Sequence, residues 1–164
     1  MGMYATAAAI NAEHMMSKKI AVLMSGGVDS SVAALLCLQK GYDVIGITMQ
    51  ITDDISPLKK AEGVCAKIGI KHYSVDLRDV FKQEILLYFK ESYENGKTPN
   101  PCVMCNERVK FGEMFRFAKS LGADYIATGH YAEIETDEDL VYLKKSADIK
   151  KDQSYFLSRV PEEI

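Results

Sequence analysis

Apolar residues along this chain alternate between short continuous runs and longer stretches that repeat at a helical spacing. A continuous apolar run is typical of a parallel strand covered on both faces, and a period of 3.6 is typical of an amphipathic helix. We expect strands over residues 19–24, 44–49, 72–75 and 125–128. We expect helices that end at Gly41, at Gly69, before Asn95 and at Gly122. This alternation predicts an α/β fold, a doubly wound parallel sheet with its ligand crevice at the carboxyl ends of the strands.

Two segments depart from this alternation. Residues 98–101 carry two prolines, which helix interiors and central strands do not tolerate, so an ordered loop is expected there. The helical period returns only from Glu107, which leaves the intervening residues in the loop. Residues 131–143 alternate around an acidic turn, and this pattern predicts a small hairpin at the edge of the sheet near the carboxyl terminus.

The composition fits one globular domain. The 164 residues are 48% hydrophobic and 26% charged, and no apolar run approaches the roughly 20 residues that cross a bilayer, so no membrane association is expected. A net charge of −3 argues against a dedicated nucleic-acid clamp, although residues 144–151 carry a local cluster of lysines. Among the four cysteines, Cys37 and Cys65 fall on apolar helical faces and are expected in the core.

The start of the chain is expected to be disordered and the rest to be folded. Residues 1–17 show no targeting signal, which predicts a cytoplasmic protein. We expect them to be a disordered leader outside the fold, whether an upstream extension, a cloning remnant or a floppy arm. Residues 18–164 are expected to form the folded domain, and the amphipathic stretch at their end, which meets no closing element, indicates a fragment.

A turn rich in glycine and serine, residues 25–31, joins the first strand to the first helix. Gly26 and Gly27 let the backbone turn sharply, while serine hydroxyls and the helix N-terminus offer donors and partial positive charge to an anion. It is not a Walker loop, because no Gly-Lys-Ser/Thr follows, and it lacks the third glycine of the dinucleotide fingerprint. A tight turn that merely uses small residues is the alternative, and the density of hydroxyls favours phosphate binding.

The sequence Ser-Gly-Gly-Val-Asp-Ser in this turn resembles the PP-loop of the ATP pyrophosphatase superfamily, whose members cleave ATP between its α- and β-phosphates to adenylate a substrate. The resemblance implies that the turn holds the pyrophosphate of ATP. It also implies that Asp29 helps to bind Mg²⁺, a hard cation that prefers oxygen ligands. The ATP-binding positions it implies here are Met24, Ser25, Gly26, Gly27, Val28, Asp29 and Ser30.

Cys102 and Cys105 lie three residues apart in the predicted loop before the fourth helix. Two thiols at this spacing can be metal ligands, a redox pair, a sulfur carrier or ordinary loop thiols. A nearby helix N-terminus lowers the pKa of a thiol, and Arg108 and Lys110 are close in sequence. We therefore expect Cys105 to have thiolate character and to be reactive.

Five stretches in this order resemble the tRNA-specific 2-thiouridylase family, and together they cover almost everything after residue 17. They are residues 24–32, 46–49, 98–112, 121–131 and 151–157. The resemblance implies that Met49 and Gly129 contact the adenosine of ATP and that Cys105 is the catalytic nucleophile. The positions that it implies for the target uridine are Asn100, Pro101 and Cys102. The positions that it implies for tRNA contact are His130, Lys151, Asp152 and Gln153.

The resemblance further implies a reaction in two steps. ATP adenylates the C2 oxygen of the wobble uridine, and sulfur from a cysteine persulfide then replaces that oxygen. The implied cofactors are ATP and Mg²⁺, and the implied partners are tRNA and a sulfur-donor protein that carries a persulfide. Such sulfur delivery needs one thiolate that a partner can load and a second thiol to resolve it.

This sequence departs from the family pattern at its thiols. Many members have Asp at the position of Cys102, and their second catalytic cysteine lies beyond residues 151–157, in a region that this chain lacks. Two interpretations stay open: Cys102 serves as the partner of Cys105, or both join a later cysteine to hold an iron–sulfur cluster. The segment over residues 50–58 is also shorter than expected.

Three other functions compete with tRNA sulfurtransfer. The first is a truncated domain that binds ATP and tRNA without full turnover. The second is another PP-loop adenylating ligase, against which the paired cysteines count. The weakest is a metal-binding module, because two cysteines supply only half of a tetrahedral zinc site.

Overall fold

Four parallel strands form the centre of the structure, a computed structural model that describes residues 18–137 and 140–161. They are β1 (Lys19–Leu23), β2 (Asp43–Gln50), β3 (Lys71–Asp76) and β4 (Tyr125–Ala127). Their order in the sheet is β3-β2-β1-β4, and each neighbouring pair is parallel. The four predicted strands are thereby confirmed. The expectation of a disordered leader over residues 1–17 lies outside the described residues.

Helices α1 (Val28–Gln39) and α2 (Ser56–Ile68) cover one face of this sheet. Small side chains on these helices let the backbones approach the strands closely. Ala34 and Cys37 of α1 and Cys65 of α2 are at most 1% exposed, against a face of β1 that includes Val22. The predicted core positions of both cysteines are confirmed, and burial raises the pKa of each thiol.

Two longer helical segments cover the other face. The first runs over residues 78–94 as α3 (Arg78–Phe81), a π-helical stretch (Lys82–Leu87) and α4 (Tyr88–Glu94). The second, which we call the thiol helix, runs over residues 101–120 as α5 (Pro101–Met104), a π-helical stretch (Cys105–Glu113) and α6 (Met114–Ser120). Ile47 of β2, Val109 and Met114 are fully buried between sheet and helices, which fixes the thiol helix on this face.

The thiol helix begins earlier than the sequence predicts. The side chain of Asn100 accepts a hydrogen bond from the backbone N–H of Val103 at 3.3 Å, and Pro101 occupies the first helical position. Asparagine is a favourable N-cap, and proline is tolerated at that first position because its missing N–H has no helical partner. The expectation that Cys102 and Cys105 lie in a loop is therefore wrong, since both are helical.

The predicted hairpin is present as β5 (Ala132–Asp137) and β6 (Leu140–Lys145), an antiparallel pair that forms its own two-stranded sheet. After it, 3₁₀ turns over Ile149–Lys151 and Ser154–Leu157 bring the chain back to the domain. The amide of Asn106 on the thiol helix donates to the carbonyl of Phe156 at 2.9 Å. No helix within the described ranges combines the length and the apolar character of a bilayer crossing.

The strand order places a crevice between β1 and β4. From β1 the chain moves through α1 to β2 and through α2 to β3, and it returns to the opposite side of β1 only at β4. Connections on the two sides of β1 thus run over opposite faces of the sheet. In parallel sheets ligands bind at such a switch point, beyond the carboxyl ends of the strands.

Candidate active site

A cavity of about 370 Å³ opens at this switch point. It is bounded by the turns that follow β1 and β4, by the end of β2 and the start of α2, and by one side of the thiol helix. Its lining contains six of the predicted ATP positions and two of the predicted tRNA positions. These are Met24, Ser25, Asp29, Ser30, Met49 and Gly129, and His130 and Gln153.

The turn over residues 25–31 is held by its own hydroxyl groups. The backbone N–H of Ser25 donates to Ser30 Oγ at 3.2 Å, and the hydroxyl of Ser31 donates to the carbonyl of Gly27 at 2.7 Å. Gly26 has a φ of +75°, in the left-handed region that favours glycine. These bonds present the first turn of α1 to the cavity, where its N–H groups have no partners within the helix. Gly26, Gly27 and Val28 shape the turn without lining the cavity.

Gly129, in the turn after β4, packs closely against the first turn of α1. A Cβ atom built on it would lie 2.7 Å from the carbonyl carbon of Asp29 and 2.8 Å from the backbone nitrogen of Ser30, so only glycine fits without displacement. Two residues later the hydroxyl of Tyr131 donates to Asp29 Oδ1 at 2.8 Å. Residues about a hundred positions apart in sequence are thereby fixed around one opening.

His130 lies in the cavity wall between Thr128 and Lys110. Its Nδ1 is 2.8 Å from Thr128 Oγ1, and its Nε2 is 3.4 Å from Lys110 Nζ. Because an ammonium group can only donate, Nε2 is assigned as the acceptor and Nδ1–H as the donor to Thr128. Burial, and secondarily the neighbouring ammonium, lowers the pKa of His130 to about 4, so the ring is neutral at pH 7.

The two cysteines of the thiol helix have different environments. Cys102 is exposed, whereas Cys105 is partly buried and packs against the core between the sheet and the thiol helix. Burial raises the pKa of the Cys105 thiol, Lys110 lowers it, and Cys102 raises it; the net shift is upward. The expected thiolate character of Cys105 is therefore wrong in this structure, because burial outweighs the effect of the nearby Lys110.

Neither cysteine lines the cavity, and neither do Asn100 and Pro101. The thiol helix reaches the cavity through Lys110 and Met114 instead. The sequence singled out Lys110 only as a neighbour of Cys105. A stronger signal was available, because Lys110 is a cation within a stretch of core-facing apolar positions.

The three predicted tRNA positions over residues 151–153 also differ from one another. Lys151 is exposed, and its ammonium lies 4.9 Å from the centroid of the Tyr131 ring. Asp152 accepts from the backbone N–H of Ser146 at 2.9 Å, a hydrogen bond that helps to lower the pKa of its carboxyl. Gln153 accepts from the backbone N–H of Tyr131 at 2.9 Å. Local hydrogen bonds thus occupy Asp152 and Gln153, and Lys151 alone presents an exposed charge.

Comparison with known proteins decides the family. The sequence model of the tRNA methyl transferase HUP domain family matches residues 18–164. The chain belongs to this family. It is 46% identical over 161 residues to a tRNA-specific 2-thiouridylase MnmA of Clostridium acetobutylicum, an alignment that covers 90% of this chain and 45% of that relative. It is 47% identical over 162 residues to the MnmA of Clostridioides difficile, with the same two coverages.

The predicted resemblance to the tRNA-specific 2-thiouridylases is confirmed by these relatives. The chain spans about half the length of the curated relatives that it matches, since the alignments cover 45% of each. Among solved structures, a 4-thiouridine synthetase bound to RNA and ATP is similar with a TM-score of 0.46 and 19% identity, over 69% of this chain and 29% of that one. For this HUP domain the predicted α/β class is confirmed.

The side chains of this HUP domain that could bind a metal fit Mg²⁺ but do not fit an iron–sulfur cluster. Mg²⁺ bound through phosphates needs only one or two protein carboxylates, and Asp29 supplies one beside the turn. An iron–sulfur cluster needs more thiolates than Cys102 and Cys105 provide. Within the described ranges no three His, Cys, Asp or Glu side chains are grouped for a metal ion, and the two thiols by themselves do not fit such a cluster.

Proposed function

We propose that this chain is the nucleotide-binding and thiol-bearing part of an ATP-dependent tRNA-uridine 2-sulfurtransferase. One observation carries the proposal: the phosphate-binding type of turn and the helix that bears two cysteines border the same cavity. The relatives named tRNA-specific 2-thiouridylase, which align with 90% of the chain, support it. Its proposed partners are tRNA and a persulfide-carrying donor protein in the cytoplasm.

In this proposal ATP lies along the cavity from β2 to α1. Met49 and Gly129 contact the adenosine, Asp29 holds Mg²⁺ against the phosphates, and the turn over residues 25–31 binds the pyrophosphate. Anions are favoured at this place because the unpaired N–H groups of α1 and its helix dipole both face them. Asn100, Pro101 and Cys102 are the proposed contacts of the target uridine, and Lys151 is an exposed cation for the tRNA backbone.

The chemistry is an exchange of one oxygen for one sulfur. The C2 oxygen of uridine attacks the α-phosphorus of ATP, and the bond from that phosphorus to pyrophosphate breaks. The terminal sulfur of a persulfide on Cys105 then attacks C2, and AMP leaves with the former uridine oxygen. The Cys102 thiolate attacks Cys105 Sγ, which breaks the sulfur–sulfur bond, releases 2-thiouridine and forms a disulfide that an external dithiol must reduce.

A single-turnover assay with labelled ATP, Mg²⁺, tRNA and a persulfide donor tests this function. Cys105→Ala should release AMP-linked tRNA or AMP but give no 2-thiouridine, because adenylation precedes sulfur transfer. Cys102→Ala is the matched variant. In it, sulfur should become bonded to C2, but the tRNA should stay linked to Cys105 through a disulfide. Equal thiolation by Cys105→Ala and the unmodified chain would overturn the assignment. Nucleotide turnover without thiolation in the unmodified chain would favour a domain that binds ATP and tRNA without completing the reaction.

A further inference from the structure

Lys110 is a partly buried cation in the wall of the cavity. Among the residues that the structure describes, no carboxylate lies within ion-pair distance of its ammonium group. Removing a charge from water is costly unless an opposite charge compensates it. The surroundings of Lys110 therefore fit an anion that is supplied by a ligand.

Neutral His130 fixes the position of this cation. The Nδ1–H bond to Thr128 sets the ring so that its Nε2 lone pair faces Lys110 Nζ at 3.4 Å. An uncharged acceptor orients the ammonium without neutralising it. The full positive charge of Lys110 thus remains available to the cavity.

The other charged groups in the cavity wall are acidic and already bonded. Asp29 accepts from the hydroxyl of Tyr131, and Asp54 accepts from the backbone N–H and the hydroxyl of Ser56, each at 2.8 Å. Within the described part of the lining, Lys110 is the one cationic side chain. A polyanionic ligand in this cavity therefore has two sources of positive potential, Lys110 and the N-terminus of α1.

We propose that Lys110 binds the α-phosphate of ATP while the turn over residues 25–31 binds the β- and γ-phosphates. This assignment rests on the proposed function. Lys110 belongs to the thiol helix, which also carries Cys105. The α-phosphorus is the atom that becomes bonded to the base in the proposed reaction. When sulfur displaces AMP from C2, the carbon–oxygen bond breaks and its electron pair stays on the phosphate oxygen, where the ammonium stabilises the charge without giving up a proton.

Competition binding with four ligands tests this assignment: ATP, AMP, pyrophosphate and adenosine. Lys110→Met should lower the affinities for ATP and AMP by at least about tenfold, which corresponds to the loss of one charge-assisted hydrogen bond. The affinities for pyrophosphate and adenosine should change by no more than about twofold. Lys110→Arg, which keeps the charge, should recover most of the loss. Lys82→Met removes the same charge from an exposed position of the segment 78–94 and should change none of the four affinities.

Each other pattern overturns the assignment. Equal losses of affinity for all four ligands would mean that Lys110 only maintains the fold. A loss of affinity for pyrophosphate rather than for AMP would place Lys110 at the β- and γ-phosphates. If Lys110→Met does not fold, Lys110→Gln must show the same pattern. If the substitution leaves AMP binding unchanged in a chain that binds ATP, the role of Lys110 is refuted and the proposed function is not. An unmodified chain that binds neither ATP nor pyrophosphate refutes the proposed function together with it.

Discussion

At the scale of single residues, surroundings rather than residue type decide the chemistry of this site. Cys105 follows a helix N-terminus and has Lys110 nearby, which by themselves favour a thiolate, yet burial raises its pKa. His130 resembles an ordinary histidine in sequence, but its place in the cavity wall keeps the ring neutral. The sequence predicted eight of the residues that line the cavity, but it did not predict Lys110 among them. It could not predict these protonation states, because both depend on burial by residues distant in the chain.

The titration of His130 predicts how stability depends on pH. Its pKa falls from 6.5 to about 4 on folding, so the unfolded chain binds a proton in a pH range where the folded chain does not. The contribution of His130 to stability is therefore fully present above about pH 6.5 and is lost as the pH falls toward 4, by up to about 3 kcal/mol. Urea unfolding at several pH values should show this loss in the unmodified chain and not in His130→Gln. Parallel pH profiles for the two proteins would contradict it.

At the scale of elements, the site depends on where helices begin and how closely turns approach one another. The alternation of apolar runs predicted the four strands and the order of helix and strand. The two prolines concealed the start of the thiol helix, because Asn100-Pro101 serves as a helix cap here rather than as part of a loop. The contact of Gly129 with α1 was also beyond the sequence, since it joins elements that are distant along the chain.

This contact predicts the effect of Gly129→Ala. The added Cβ would meet backbone atoms of Asp29 and Ser30 below 3.0 Å, so the turn after β4 and α1 must move apart, at a cost of about 1–3 kcal/mol. ATP affinity should fall by at least about tenfold, because the turn that holds the phosphates moves. Gly63→Ala is the matched control: it lies within α2 with open space around it and should stabilise the chain by about 0.5–1 kcal/mol. Titration calorimetry and urea unfolding measure both, and unaltered ATP binding by Gly129→Ala would refute the role of this contact.

At the scale of the whole molecule, the reversal of strand order at β1 brings the parts of the site together. The turn over residues 25–31 and the Thr128-Gly129-His130 segment follow adjacent strands, while Lys110 comes from a helix on the face opposite α1. The sequence predicted a crevice of this kind from the fold class. The sequence offered Lys110 as a cation among core-facing apolar positions, but it could not show that the cysteines of the same helix stay outside the cavity lining. Packing against the second face of the sheet determines that orientation.

In the proposed reaction, ATP adenylates the C2 oxygen of the target uridine, and sulfur then takes the place of that oxygen on C2. The most direct measurement is a single turnover on tRNA whose target uridine carries ¹⁸O at C2, followed by mass spectrometry of the AMP. Adenylation of that oxygen predicts AMP that carries the heavy isotope in its α-phosphate, in an amount equal to the 2-thiouridine formed. Unlabelled AMP, or ¹⁸O that stays in the tRNA, would contradict the account.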